Sequence, residues 1–443
     1  MQLAQGTSHP PCAADRVSPD TGSLDVGAQA ADDRLARVDA VSRAFVTWLD
    51  RFGETSLDFQ SVYAGRYGRF AKSLYYRNRN VGTLAVAPLV FCQAFVPAAR
   101  RVCWNRQRFP IGDAHYAMAF AQRFAATGDE RDYARAVHFL EILLATASPA
   151  ASGLGWGYPF DWVTIDGTIP TNTPLITTLP YVYEAFVSLY EIDHERRWLE
   201  VMQSIAEHVL HDYPDHAWRA DAASCSYAPL PWDQGGVVNA SAYRAFVLTR
   251  AWHDFRNEKY LKAAQPNLQF VLHAQNEDGS WYYAMDGRRD FIDHYHTCFV
   301  LKALLKIAAL TGRDTCGRAI QSGLTYYLDN LFDLQELPRP FARAPRFTIY
   351  KRELYDYAEC INLLTLAQRK FAGVGSRRDV VVDDILRRWQ QPRGCFRTRQ
   401  LLIGWDNVPM HRWGQAQLLR SLCGLLNDSA DGTTIPAPAE LIL

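Results

Sequence analysis

The residues best placed to do chemistry stand at the head of one stretch, DHYHTCFVLKALLKIAAL, where Asp293, His294, Tyr295 and His296 precede a long apolar run. Histidine is the side chain whose ordinary pKa lets it take and return a proton near neutral pH. At i, i+2 on a helix His294 and His296 cannot face the same way, so one is expected to look into a cavity and the other toward a neighbour. Asp293 has a second use, because a carboxylate just before a helix accepts its free N–H groups. A second cluster lies in YKRELYDYAEC, where Glu353 and Tyr357, and Tyr355 and Glu359, are spaced i, i+4 and Asp356 projects between them. A third is the long loop GWGYPFDWVTIDGTIPTNTP, with Trp156, Asp161, Asp166 and Asn172. A fourth, GWDNVPMHRW, brings His411, Arg412 and Trp413 like a lid to the last apolar helix. Long loops of this aromatic kind usually serve a site.

Two reactions fit these sets. Abstraction of a proton beside a sugar carboxylate needs a base, an acid on the opposite face and a cation over the carboxylate. His296, with Tyr355 or His411, and Arg412 or Arg352, could fill those roles in an epimerase or a lyase. Hydrolysis of a glycosidic bond needs two carboxylates flanking it. Asp161 or Asp166 with Asp293, Glu353 or Asp356 could supply them. His115, His294, His296 and His411 lack the spacing of a zinc-ligand set, so no metal and no other cofactor is expected.

The elements that must position these residues repeat. Polar-to-apolar helix starts at Asp113, Thr173, Asn239, Asp293, Glu353 and His411 follow one another at intervals of 60, 66, 54, 60 and 58 residues, the mark of a repeat architecture. Asp113, Thr173, Asn239 and Asp293 are good N-cap types. The helices that start there are apolar nearly all round, whereas the segments that follow, such as EKYLKAAQPNLQFVLHAQ, are amphipathic. Each repeat therefore reads as an inner helix followed by an outer one. The outer helices end in a shared pattern, Q-x3-G-x-aromatic, in QNEDGSW (Gln275–Trp281) and QQPRGCF (Gln390–Phe396), with SGLGWGY at Ser152–Tyr158 a looser version. Glycine is expected to make the turn, the aromatic to fold back on the preceding helix, and the glutamine to cap that helix's last carbonyls.

With Asp32–Asp50 as the outer helix missing from the last repeat, six hairpins close into a ring. The expected fold is all-α, an (α/α)6 toroid spanning residues 32–430, with a disordered leader at 1–31 and a tail at 431–443. Strand signals are confined to short pieces such as FTIY at Phe347–Tyr350. The inner helix starts would gather His115, Asn172, Asn239, Tyr243, Glu353, Tyr355, Asp356, His411, Arg412 and Trp413 at one mouth. Trp156, Trp232 and Trp281 would add flat faces of the kind on which sugar rings stack. Six helix N-termini aim partial positive charge at that mouth, which favours an anionic ligand.

Composition narrows the class. Of 443 residues 48% are hydrophobic and 13% aromatic, and 47 basic residues balance 47 acidic ones, so a large core is expected and a general nucleic-acid binder is not. One segment departs from the balance. From Phe59 to Gly112 there is no acidic residue, while eight arginines and Lys72 give +9. This basic aromatic insert either pairs with acids elsewhere or presents a surface to an anionic polymer, a phosphate or an acidic membrane. Nine cysteines without a CxxC pair fit reduced thiols in a cytoplasmic protein, and no signal-peptide pattern opens the chain. The uncharged run Val81–Ala99 carries Pro88, Pro97, Gln93 and Thr83 and reads as a buried segment of a soluble protein, at most peripheral to the inner membrane.

The Q-x3-G-x-W element among repeated hairpins, over roughly Trp104–Leu426, resembles the α/α-toroid superfamilies: terpenoid cyclases with prenyltransferase β-subunits, lanthipeptide cyclases, six-hairpin glycosidases and glucuronyl C5-epimerases. The acid motifs of the cyclases are absent, the nearest being DVVVDD at Asp379–Asp384. Cys298 and His296 share one helix start, without the motifs that flank a zinc site in the others. LPWDQGGVVNASAYRAFVLTRAWHDFRNEKYLKAA, QNEDGSWYY and FIDHYHTCFVLKALLKI look most like helical proteins of bacterial surface-polysaccharide gene clusters, distantly like the C-terminal domain of glucuronyl C5-epimerase. That resemblance implies a carbohydrate-active protein of polysaccharide biosynthesis or modification, acting on an acidic glycan by uronate epimerase or lyase chemistry. A glycoside hydrolase, or a non-catalytic glycan-binding or assembly protein, are the alternatives. Its expected partners are an oligosaccharide, polysaccharide or lipid-linked sugar and a membrane-bound synthesis complex.

Overall fold

The computed structural model describes residues 21–429. The expected tail lies outside these residues, as does the leader up to residue 20. The rest of that leader is the start of helix α1 (Thr21–Phe52). Two helices of the insert follow, α2 (Arg66–Arg77) and α3 (Arg79–Phe95). The inner helices are α4 (Pro110–Thr127), α6 (Leu179–Asp193), α8 (Val238–Phe255), α10 (His294–Thr311), α12 (Leu354–Ala367) and α14 (Ala416–Ser429). Between them stand the outer helices α5 (Glu130–Ala145), α7 (Arg196–His211), α9 (Glu258–His273), α11 (Gly317–Asn330) and α13 (Val374–Asp384). Each inner helix packs on the next, α14 closes on α4, and α1 covers α14 from outside. The result is an all-α (α/α)6 toroid with only short β-ribbons in its loops.

The two helix classes differ in what they can bury. Every residue of α12 is buried, and nearly every residue of α4 and α8, as a helix surrounded by others requires. The outer helix α7 buries Trp198, Met202, Ile205 and Val209 along one stripe, each worth roughly 1.5–3 kcal/mol when removed from water. Of the expected N-caps only Asp293 acts as one, accepting the N–H of His296 at 3.2 Å. Asp113 and Asn239 fall inside their helices, and Thr173 lies ahead of α6. The last inner helix begins five residues later than the apolar pattern suggests. Gly414, at φ +150°, breaks the chain after Trp413, a conformation open to glycine and closed to other residues.

The repeated loop element works differently from its sequence reading in one respect. Its aromatic does fold back, the Trp281 indole N–H donating to the Val271 carbonyl at 2.9 Å and Trp156 likewise to Leu143 at 2.8 Å. Its glutamine does not cap its own helix. Gln275 bridges its loop to the carbonyl of Ala319 in α11, and Gln390 bridges to Val41 in α1. Each glutamine thus ties one outer helix to the next, and α1 takes its place in the ring by the same bond. Gly279, at φ +91°, lies so close to α11 that a Cβ would stand 2.4 Å from the Ser322 carbonyl.

The insert lies over the mouth of the ring. Asp58, just before it, is bonded twice by Arg412 at 2.7 Å, Arg69 pairs with Asp161, and Arg100 pairs with Asp406 in a buried site. Trp281→Ala should lower the unfolding free energy by ~3–5 kcal/mol, and Gln390→Ala by ~1–2 kcal/mol through two lost hydrogen bonds. Urea denaturation of both variants checks this.

Candidate functional site

The ring encloses charge at its centre and aromatic rings above it. Lys302 of α10 bonds Glu359 of α12 at 2.5 Å, while Lys306 of α10 and Arg420 of α14 both pair with Glu184 of α6. All five side chains are buried. His115 of α4 packs against Tyr181 with ring centres 4.6 Å apart and is held neutral by burial and by the neighbouring cations Arg420, Lys302 and Lys306. Above this network Tyr181 and Tyr243 share a hydroxyl contact of 2.6 Å and pack with Phe299. None of the buried pairs was singled out in the sequence. The available signal was a lone charge in a helix apolar on every side.

At the mouth, His296 and Asp293 form a dyad. Nδ1 of His296 lies 2.8 and 2.7 Å from the two carboxylate oxygens of Asp293. The Nδ1–H therefore donates to the carboxylate and leaves Nε2 as the ring's acceptor. The imidazole sits edge-on to Tyr283 at 4.6 Å. The adjoining pocket is narrow, about 10 Å³, and is lined by Asn239, Trp281, Tyr283, Phe291, Asp293 and His296. Asn239 turns an unpaired Oδ1 there, in a buried position. From Tyr295 the aromatic wall runs to Tyr355 at 5.0 Å and on to Trp413, stacked on Tyr355 at 6.2 Å.

Asp356 stands in the same wall, fully buried, and neither of its carboxylate oxygens has a hydrogen-bond partner among the described residues. Burial, then the nearby carboxylates of Glu353 and Asp293, hold its pKa well above the ordinary range, which favours the neutral acid. Glu353 is tied instead to Arg399, at 2.7 Å.

The insert, which forms a lid over the mouth, contributes a residue that sequence reasoning did not pick out. The Lys72 ammonium lies 5.6, 5.9 and 6.0 Å from the ring centres of Tyr63, Trp162 and Tyr76, with no carboxylate partner among the described residues. Burial, helped by Arg346 and Arg412, pushes its pKa down to about 7. It is the one lysine of the acid-free segment, and that singularity was the legible clue.

Several expected site residues are committed elsewhere. His294 faces outward to α11, accepting from the Tyr327 hydroxyl at 2.8 Å and donating to the Arg339 carbonyl at 3.1 Å. Burial takes its pKa to about 3. His411 accepts from Tyr116 at 2.5 Å and donates to the Gly53 carbonyl at 3.0 Å, and burial takes its pKa to about 4. With both nitrogens occupied inside the wall, neither ring can exchange a proton with a ligand. Arg412 holds Asp58, and Arg352 pairs with Asp333. Asp161 accepts from the backbone and hydroxyl of Thr171 and from Arg69, which keep its pKa low. Asp166 pairs with Arg288 and Arg289. Asn172 is an exposed turn residue at φ +59°, and Trp232 is half-buried against Gly167. Trp156 is wholly buried by its bond to α5.

The depressed His411 gives a signed pH effect. Its unfolded form takes a proton near pH 6.5 and its folded form does not until about pH 4, so its stabilising contribution is present above pH 6.5 and is lost as pH falls toward 4. His411→Gln should be destabilised at pH 7, and its deficit relative to the parent should narrow by ~2–3 kcal/mol between pH 6.5 and 4. Denaturation curves at several pH values read this out.

No protein-family model matches the sequence, and no curated protein matches it. Solved structures do. A sugar epimerase from a ruminal bacterium aligns with a TM-score of 0.57 at 12% identity, covering 74% of this chain and 89% of that one. Cellobiose 2-epimerase from Bacillus thermoamylovorans aligns at 0.58 and 10% identity, covering 73% and 88%. An α-mannanase of glycoside hydrolase family 76 from Bacteroides thetaiotaomicron aligns at 0.53 and 10%, covering 72% and 86%. The chain has the (α/α)6-toroid fold that these proteins share.

Proposed function

We propose that this protein is a carbohydrate-active enzyme that moves a proton at a sugar carbon beside a carboxylate, as an epimerase or lyase acting on an acidic glycan or lipid-linked sugar. The observation that carries the reading is the Asp293–His296 dyad at the ring's mouth. Nε2 of His296 takes the proton, and Asp293 stabilises the imidazolium that results. The electron pair of the broken C–H bond moves onto the carboxylate, where Asp356 in its protonated form would donate a hydrogen bond to the developing oxyanion. Return of a proton to the other face gives the epimer, and expulsion of the substituent on the next carbon gives the unsaturated product. Lys72 stands on the insert among Tyr63, Tyr76 and Trp162. As an ammonium it can neutralise the substrate carboxylate, and with a pKa of about 7 it can also give up its proton.

Hydrolysis is less well served. It asks for two available carboxylates, and Asp161, Asp166, Asp293 and Glu353 are each held by a cation or an imidazole. Asp356 alone is uncommitted. Two of the similar structures carry epimerase names, which supports the proton-transfer reading. The aromatic wall suits a sugar ring, and a role in making or modifying surface polysaccharide, in the cytoplasm, follows from the sequence resemblance.

Proton NMR in D2O with uronate-containing oligosaccharides tests the proposal. Loss of the C5 proton signal without cleavage is expected of an epimerase, and a new alkene signal of a lyase. A new reducing end without unsaturation would overturn the reading. His296→Ala should lower kcat by ~10²–10⁴-fold with the fold intact. Substrate affinity should be strongest below about pH 7 and weaken above it as Lys72 loses its charge, whereas Lys72→Arg should bind with a flat profile to higher pH.

A further inference from the structure

The lid has a second face, and it points away from the ring. Of the fourteen large apolar side chains exposed among the described residues, nine belong to the insert. On α2 these include Tyr67 and Phe70, 50% and 62% exposed; on α3, Leu84, Phe91 and Phe95, at 76%, 59% and 57%. Leu84, Phe91 and Phe95 recur at helical spacing, so they share one side of α3. The two helices are held close, since a Cβ on Gly82 would stand 2.1 Å from the Tyr75 Cα, and Tyr67 donates to the Ala85 carbonyl at 2.7 Å. Phe91 and Phe95 lie ring to ring at 5.0 Å. Just past the hairpin Val102 is 90% exposed.

The charges of the insert divide by role. Arg69, Arg100 and Arg108 pair with acids of the ring or of the loop before the insert, Arg106 bonds the carbonyls of Phe52 and Thr55, and Lys72 faces inward. Arg66, Arg77, Arg79 and Arg101 are exposed, with no carboxylate partner among the described residues. An apolar helical face bordered by unpaired arginines, in a segment without one acidic residue, has the chemistry of an interfacial membrane-binding element. No helix among the described residues is long and apolar enough to cross a bilayer, so the hairpin would lie on the surface.

We infer that the outer face of the α2–α3 hairpin docks on an anionic lipid bilayer. Charge complementarity selects that occupant: a second copy would set arginine against arginine, while an anionic headgroup layer meets the hairpin's Arg66, Arg77 and Arg79 and admits the apolar rings beneath it. The inference stands independently of the enzymatic reading. Because the inner face of the same hairpin roofs the candidate site, docking would set the mouth beside the bilayer surface.

Flotation of the full chain with vesicles decides it. Binding to phosphatidylcholine vesicles containing phosphatidylglycerol, little binding to phosphatidylcholine alone, and release by salt are expected. Phe91→Ser with Phe95→Ser should weaken binding by at least about tenfold, and each of Arg66→Gln, Arg77→Gln and Arg79→Gln by about fivefold. These side chains are exposed, so thermal unfolding of the variants should match the parent. Absence of binding to the anionic vesicles overturns the inference. So does a concentration-dependent dimer, abolished by the two phenylalanine substitutions, in a protein that binds no vesicle.

Discussion

The structure turns on a set of opposite charges buried against one another. Lys302, Lys306, Arg420, Glu184 and Glu359 sit where six inner helices converge, out of reach of water. Taking such groups from water costs several kcal/mol each, and a pair roughly recovers that cost only with close contact. Removing one member strands the other, at about 3–5 kcal/mol. The pairs therefore act less as a source of stability than as a constraint on register: α10 must stand where both of its lysines meet glutamates of α6 and α12. Burial outweighs the glutamate at Lys306, whose pKa is pushed down to about 7, with Arg420 adding to the effect.

At the mouth one hairpin does two jobs. Facing in, α2 presents Lys72 among the rings of Tyr63, Tyr76 and Trp162. Facing out, α2 and α3 present Phe70, Leu84, Phe91 and Phe95. The salt bridges that fasten the insert to the ring use three of its arginines and leave four on the surface. The acid-free segment is thus neither wholly paired nor wholly free. Part of its charge is paired within the fold and part is exposed, on different sides of the same element.

How far the sequence could be read follows from the range of the interactions involved. The toroid was legible because its period and the Q-x3-G-x-aromatic element are local and repeated. Asp293 and His296 are three residues apart on one helix start, so their proximity was readable too. Arg412 was not, because its partner Asp58 lies more than three hundred residues away and only the folded ring brings them together. The same holds for His411, occupied by Tyr116 and by the Gly53 carbonyl. Residue type names what a side chain can do, and long-range partners decide whether it is left free to do it. The lid was missed for a related reason: nothing in 59–112 says which end of the ring it crosses.

Partnering also orders the candidate catalytic groups. Asp293 and Asp356 stand at corresponding starts of neighbouring inner helices, yet their surroundings set them opposite tasks. Asp293 has an imidazole N–H and a backbone N–H to accept, which suits the ionised carboxylate that orients a base. Asp356 has neither, and Glu353 and Asp293 on its flanks make a further negative charge costly. Groups whose environments push their protonation apart are how one site holds a base and an acid at a single pH. Were Asp356 a structural carboxylate, a cation or N–H should stand against it, as Arg399 stands against Glu353 and Arg412 against Asp58. Its isolation sets it apart in a fold that pairs nearly every other buried acid.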